Sequence, residues 1–411
     1  MRLFYYIEMN KNDIHKKIIL IEKELDRYCL DSKHLSLFSG ISGLPVFYLM
    51  LFQLTKKKVY LKKIDRVIIR IFDILNNGNY GVSYCNGLAG VAHMLNFLLE
   101  HKVIEDSMRS NLNFFDNILA DIALKNTQSI DDADFLHGAS GVAYYLNNRL
   151  KDNPKIKSKT CQLFEKLIEI VANYVKESEK VCNLTEYAPG THRTNLGLAH
   201  GLVSYIIIFS KFLENFPQEE YALFTLKKCI ECLLRFESKD KSKLSLFPGI
   251  AINQKIAEYN IPLGWCYGDQ TISFGLYKAS KVLKDESLRE KAFRLAYRNL
   301  SRDSIEKIFP TPICDAGFCH GLSSIAYVHK KWYYISGEKK FYDLYSKFIS
   351  EILDFGKRNV GIAGYQKYVS NNQYEDSIGF LDGAIGVGIV LADYLLEDNS
   401  TINWDQFFLL D

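Results

Sequence analysis

Apolar side chains recur along this chain in two rhythms. In the first, Phe164, Leu167, Ile168, Val171, Tyr174 and Val175 fall at three- and four-residue steps, one stripe of a helix whose other positions are mostly polar. Asn153 and Pro154 just upstream offer a cap and a first-turn proline. The spacing predicts a helix with one face on a core and the other in water. In the second rhythm the apolar residues run right round, as in SGISGLPVFYL from Ser39, HGASGVAYYL from His137 and DGAIGVGIVL from Asp382. A helix of that kind has to be covered on every side. The pattern therefore predicts an inner and an outer helical layer.

The inner kind comes in seven copies, each opened by a glycine: Gly40, Gly87, Gly138, Gly201, Gly268, Gly321 and Gly383, at intervals of 47, 51, 63, 67, 53 and 62 residues. Each interval has room for two helices and their loops. Three residues after each glycine the side chain is small again: Gly43, Gly90, Gly141, Ser204, Thr271, Ser324 and Gly386. The two positions share a helix face, where missing side-chain volume lets backbones approach closely. Seven units of one buried and one half-exposed helix predict an all-α chain built as an α/α solenoid. Periodicity leaves its closure into a ring open, although closure would bury both end faces.

The repeat disposes of one misleading signal. Residues 35–55 carry no charge and are followed by Lys56, Lys57 and Lys58, the profile of a membrane span. As the first copy of the inner motif they read as a buried helix, and residues 194–208 in the fourth copy are uncharged as well. No transmembrane segment is expected. The N-terminal segment MRLFYYIEMNKNDIHKK has an unbroken apolar stretch of only five residues before Glu8, too short for the core of a signal peptide, so export by that route is not expected either.

At 411 residues, 48% apolar and 24% charged, the chain can bury a large core and is not disordered. The 51 basic and 48 acidic residues leave a net charge of +3, without a field or a dense basic stripe for nucleic acid. The 25 glycines against 8 prolines fit a mostly helical chain. Nine cysteines, at 29, 85, 161, 182, 229, 232, 266, 314 and 319, are odd in number and lack the spacing of a disulfide framework, which points to a reducing cytoplasm. Cys229 and Cys232 form a CxxC pair, but Leu223, Phe224, Leu226, Ile230 and Leu233 surround them at helical spacing, and they read as core.

Chemistry collects at the residue before each repeat glycine. Ser39, Asn86 and Asp382 stand there in copies one, two and seven, His137, His200 and His320 in copies three, four and six, and Tyr267 in copy five beside Cys266. In a ring of inner helices these positions face one centre. Cys266, with Cys319 and His320 in CHG, makes a Cys, Cys, His set; with a fourth position open, that is the donor set of a catalytic zinc. Buried cysteines also serve as small hydrophobes and a histidine as a satisfied core residue, so spacing alone leaves both readings open. Asp134, four residues before Gly138, is either the cap of a helix start or the partner of a histidine such as His200 in an acid–base pair. His137 reads as a packing or substrate-contact residue.

The seven glycine-pair repeats, with LAHG at His200, WCYG at Cys266 and CHG at Cys319 in that order, resemble the lanthionine synthetase C family, the cyclases of lanthipeptide biosynthesis. The resemblance covers essentially the whole chain. It implies that residues 1–411 form one α/α toroid domain of seven units, with 1–34 as a helical lead-in, and that Cys266, Cys319 and His320 hold one zinc. His200 and Asp134 are then the acid–base candidates. It further implies a dehydrated precursor peptide as substrate, a lanthipeptide dehydratase and an ABC exporter as partners, and a cytoplasmic location, peripheral to the inner membrane face through those partners. Two departures stand out: Asp269 and Gln270 follow WCYG where members often have a Pro-Gly-like turn, and Pro262, Leu263 and Gly264 precede Trp265 where some cyclases carry an arginine.

The implied reaction adds a substrate cysteine to dehydroalanine or dehydrobutyrine and closes a thioether ring. A free thiol with a pKa of about 8.5 is only a few per cent thiolate at neutral pH. Two thiolates and a neutral imidazole cancel the charge of the metal, so a third thiolate from substrate stays electron-rich, whereas three histidines would favour hydroxide formation. Two other readings share the architecture. A family relative could bind glutathione or other thiols, or act as a regulatory binding module, without cyclising. Protein prenyltransferase β-subunit chemistry also uses an α/α barrel and zinc, but wants a carboxylate ligand beside Cys and His.

Overall fold

The computed structural model describes residues 10–31, 34–180, 193–252, 256–309, 314–370, 373–397 and 401–411. The reading of the extreme N-terminus up to residue 9, and Cys182, lie outside them. In chain order the helices are α1 (Lys11–Asp31), α2 (Leu44–Thr55), α3 (Val59–Asn76), α4 (Leu88–Glu100), α5 (Met108–Asn126), α6 (Ala139–Arg149), α7 (Lys157–Lys180), α8 (Leu202–Asn215), α9 (Glu220–Arg235), α10 (Asp269–Leu283), α11 (Glu286–Asn299), α12 (Ile305–Ile308), α13 (Leu322–Ser336), α14 (Lys339–Phe355) and α15 (Ala384–Leu396).

The seven predicted inner segments are α2, α4, α6, α8, α10, α13 and α15. They are covered along most of their length, and in α8 every residue from Leu202 to Leu213 is buried. The outer helices α3, α5, α7, α9, α11 and α14 each pack on the inner helix before them. The stripe of α7 faces the core as its spacing requires: Phe164, Leu167, Ile168, Val171, Tyr174 and Val175 are all buried. Its start differs from expectation. Asn153 makes no capping bond and instead donates its side-chain amide to Asp116 Oδ2, while Pro154 opens a short 3-10 turn before the helix. Cys229 and Cys232 are buried in α9, although Phe224 on the same helix turns to solvent.

The structure settles the closure that periodicity leaves open. The last inner helix, α15, packs against the first, α2, and the outer partner of α15 is α1 from the other end of the chain. The N-terminal helical segment is thus the outer half of the seventh unit, and the solenoid is an α/α toroid. The candidate membrane span also resolves: its helix, α2, has 12 residues, and no helix among the described residues is long and apolar enough to cross a membrane.

Backbone hydrogen bonds tie neighbouring repeats at the residue two before each glycine. Phe38 N donates to Cys85 O, Cys85 N to Leu136 O, Ala199 N to Cys266 O, Cys266 N to Cys319 O, Cys319 N to Leu381 O, and Leu381 N back to Phe38 O, at 2.7 to 3.4 Å. One residue earlier the side chains point away from this belt into the core. Tyr84 and Phe135 there are buried against each other, and Trp265, Phe318 and Phe380 close on the C-terminal turn Trp404–Phe408, where the ring of Phe408 lies 4.1 Å from that of Phe318 and its carbonyl accepts the indole N–H of Trp265. One residue later the side chains face the opposite side, toward the open centre.

The glycines make this geometry possible by admitting each repeat's own loop. A Cβ on Gly138 would stand 2.3 Å from Asp132 O, and one on Gly141 would stand 2.2 Å from Phe135 O. In both cases the obstructing carbonyl lies six residues earlier, so the chain curls back over the helix start and only a bare Cα fits.

Three short strands follow the same purpose. β1 (Arg193–Asn195), β2 (Ile250–Ile252) and β3 (Ile256–Ala257) form an antiparallel sheet that brings residues 249–250 beside the fourth repeat loop. A hairpin of β4 (Lys367–Ser370) and β5 (Gln373–Glu375) stands before the seventh repeat.

Candidate metal centre and acid–base pair

The belt bond from Cys266 N to Cys319 O, 3.0 Å long, places two repeat-equivalent cysteines side by side although 53 residues separate them. His320 follows Cys319 directly. One ligand atom from each of Cys266, Cys319 and His320 lies within 4.8 Å of the others, the single such group of metal-ligating side chains among the described residues. With zinc–sulfur bonds of about 2.3 Å, the donors of a tetrahedral site stand roughly 3.5–4 Å apart. The three donors could therefore hold a zinc ion, and two of them, Cys266 and His320, line a cleft.

Their protonation follows from their contacts. The hydrogen bond from the Cys319 thiol is the main influence lowering the Cys266 pKa, to about 6, against burial and with help from His320. Cys319, as the donor, is pushed up. Burial pulls the imidazole of His320 down, but Asp315 and Cys266 together outweigh it and raise it to about 11. The pair thus shifts toward an ionised Cys266 with Cys319 as its donor, and a negative sulfur favours a cation beside it.

Behind His320 stands Asp315, 1% exposed. Its Oδ1 accepts from Gly317 N and its Oδ2 from Tyr368 N in β4, both at 2.9 Å, and Oδ2 lies 3.1 Å from His320 Nε2. That last contact is close but off the axis of the N–H, leaving Nε2 without an aligned hydrogen-bond acceptor.

His200 is held from the neighbouring repeat. Its Nδ1 lies 2.7 Å from Asp134 Oδ2, and the Asp134 bond raises its pKa above the ordinary 6.5 despite partial burial. Asp134 Oδ1 meanwhile accepts His137 N at 2.7 Å. Asp134 is therefore not a helix cap, since α6 opens at Gly138 without a side-chain cap; one oxygen fastens its own loop and the other meets the His200 ring. The ring of His137 stacks on that of His200 with centroids 5.8 Å apart. The His200 loop is joined to the sulfur site, since Leu198 N and Ala199 N both donate to Cys266 O.

Two groups escaped the sequence reading. One is Asn195, whose Nδ2 donates to the hydroxyl of Tyr267 in the cleft at 2.9 Å. Asp315 is the other. A signal was present: Asn195 and Asp315 each stand six residues before a repeat glycine, so aligning the repeats would have placed both behind the central face. The cleft itself measures about 370 Å³ and is lined by Ile250, Glu258, Ile261, Pro262, Cys266, Tyr267 and His320, among others. The two departures from the family pattern have structural roles. Asp269 is buried and accepts from Leu246 N and Phe247 N, and Gln270 donates to Ile325 O and contacts His329 on α13.

Comparison with known proteins bears on the family and the fold. The family model described as lanthionine synthetase C-like protein matches residues 31–409. The chain is 26% identical over 430 aligned positions to the nisin biosynthesis protein NisC of Lactococcus lactis subsp. lactis, covering 98% of this chain and 97% of that protein. A solved structure titled nisin cyclase superposes with a TM-score of 0.73 at 22% identity, covering 97% of each chain, and has the same fold.

Proposed function

The chain belongs to the lanthionine synthetase C-like family, and from that premise we propose that it is a lanthipeptide cyclase, dependent on one zinc, acting on a dehydrated precursor peptide. The observation that carries this reading is the convergence of Cys266, Cys319 and His320 beside the His200–Asp134 pair. Bound by those three donors, zinc would supply the acidity that keeps an incoming substrate cysteine as thiolate at neutral pH.

The remaining work falls to the protein's own groups. The apolar wall of Ile250, Ile261 and Pro262 limits water around the reacting sulfur. As the new C–S bond forms at the β-carbon of dehydroalanine or dehydrobutyrine, the electron pair of its double bond moves toward the α-carbon and adjacent carbonyl. The α-carbon then takes a proton. With Nδ1 turned to Asp134, the ring nitrogen of His200 left to deliver it is Nε2. Asp134 holds that ring in one orientation and keeps it protonated. The Tyr267 hydroxyl, accepting from Asn195, keeps its own proton free for the developing enolate oxygen.

The same reading takes residues 1–411 as one toroid domain, places the protein in the cytoplasm, and gives it a dehydratase and an exporter as partners. Ring formation leaves peptide mass unchanged but consumes a thiol. The test is therefore alkylation with N-ethylmaleimide after incubating purified protein with a dehydrated Cys-containing peptide. Loss of alkylatable thiol is expected; a peptide that stays fully alkylatable, with glutathione bound instead, would replace this reading with the thiol-binding one.

A further inference from the structure

Asp315 joins three parts of the molecule that the repeat alone does not connect. It belongs to the loop before α13, it receives the backbone of β4 through Tyr368 N, and it reaches the imidazole of the residue that begins the next turn. The space it occupies is one that a side chain would fill: a Cβ on Gly321 would stand 2.1 Å from Asp315 Oδ1. A buried carboxylate is costly unless its oxygens are used, and here both are. Oδ1 takes Gly317 N. Oδ2 takes Tyr368 N and keeps a second lone pair toward His320 Nε2.

We propose that Asp315 is the positioning residue of the metal centre. It accepts the Nε2 proton of His320, so that Nδ1 is the nitrogen offered to the cation, and the β4 strand fixes it in that place. This rests on the zinc reading above. A neutral imidazole has one donor and one acceptor nitrogen, and the acceptor can bind a metal only when the proton sits on the other. The carboxylate selects that tautomer, and a slight rotation of the ring brings its present off-axis contact into line. The β4–β5 hairpin thereby takes a part in metal binding through a backbone N–H, although it contributes no ligand.

In Asp315→Asn, the amide can still serve Gly317 N through Oδ1 but turns an N–H toward both Tyr368 N and His320 Nε2. Zinc affinity, measured by competition with a chromophoric chelator on the purified full chain, should fall about 10- to 100-fold. The helical circular-dichroism signal should be unchanged. Asp315→Glu should recover part of the affinity. Affinity within twofold of the parent protein would overturn the proposal. Since the variant disturbs the Tyr368 bond as well, a second measurement uses the unaltered protein. With ¹⁵N-labelled histidine and zinc bound, the ring resonance that shifts on chelation should report a metal on Nδ1 and a proton on Nε2. The reverse assignment would overturn the proposal even if the variant failed to fold. Should the unaltered protein bind no zinc at all, the cyclase mechanism falls first and this role with it.

Discussion

Asp134 divides its two carboxylate oxygens between neighbouring repeats. Oδ1 fastens its own loop through His137 N and Oδ2 holds His200 Nδ1 of the next unit, each at 2.7 Å. The same logic recurs round the ring: Ser36 Oγ of the first repeat donates to Asn86 Oδ1 of the second at 3.1 Å, and Asn195 of the fourth reaches Tyr267 of the fifth. A loop residue of one unit thus orients the central residue of the next, and the Asp134–His200 contact is one instance of a structural habit of the fold.

A pH dependence follows from that contact. The Asp134 hydrogen bond is the first cause of the raised His200 pKa, with burial opposing it. An acid works only while protonated, so ring formation should slow as pH rises through the His200 value, which lies above 6.5. In Asp134→Asn the decline should begin at lower pH. Stability has the matching sign: protonation of His200 favours the fold fully below its unfolded pKa, and that contribution is lost as pH rises through the folded one. Rate–pH profiles on a dehydrated peptide decide it; superimposable alkaline limbs would take the protonating role away from His200.

Replacing His200 by Ala should leave the metal in place and cut ring formation by about 10²- to 10⁴-fold. Zinc content and thiol consumption measured on one preparation separate the two effects. Cyclisation at the parental rate would refute the assignment.

Metal content itself is the simplest check. Protein purified without chelator should carry close to one zinc by elemental analysis, and Cys266→Ala with Cys319→Ala should carry none, because one imidazole alone cannot hold the ion against competing buffer. Full zinc in the double variant would place the metal elsewhere.

Away from the site, Arg149 and Asp116 form a wholly buried ion pair at 3.1 Å that joins α6 to α5, with Tyr145, Asn153 and Asn96 completing their hydrogen bonds. Arg149→Met leaves the carboxylate buried without its charge partner. Urea unfolding should show a loss of about 3–5 kcal/mol. A loss below about 1 kcal/mol would mean that the pair is dispensable.

The inner glycines should be equally intolerant. Gly141→Ala places a methyl 2.2 Å from Phe135 O and 2.4 Å from Tyr84 Cβ, in two neighbouring repeats at once. Overpacking of this kind costs about 1–3 kcal/mol or more, visible as a lowered Tm. The equivalent position of the fourth copy already carries Ser204, whose hydroxyl donates to Gly201 O. An unchanged Tm in Gly141→Ala would show that the loops yield more easily than their geometry suggests.

Much of this was legible in the residues. The seven inner helices, the outer stripe of α7, the burial of Cys229 and Cys232, and the gathering of Cys266, Cys319, His320, His200 and Asp134 at one centre all follow from local period and from position within a repeat. Such information survives in one dimension because a helix writes its buried face at fixed spacing, and a repeated unit puts equivalent residues in equivalent places.

Other features depended on the ring. That α1 serves as the outer partner of α15, that Asn153 spends its amide on Asp116 instead of a helix end, and that Asp315 meets both His320 and the β4 backbone are contacts between distant segments. Their partners are chosen by how closure and the backbone belt bring loops together, and no periodicity records that. The sequence by itself determined the architecture of the unit and which side chains meet at the centre. Only the tertiary structure decided which oxygen faces which nitrogen, because hydrogen bonds are set by ångström distances between loops whose separation along the chain says nothing of their separation in space.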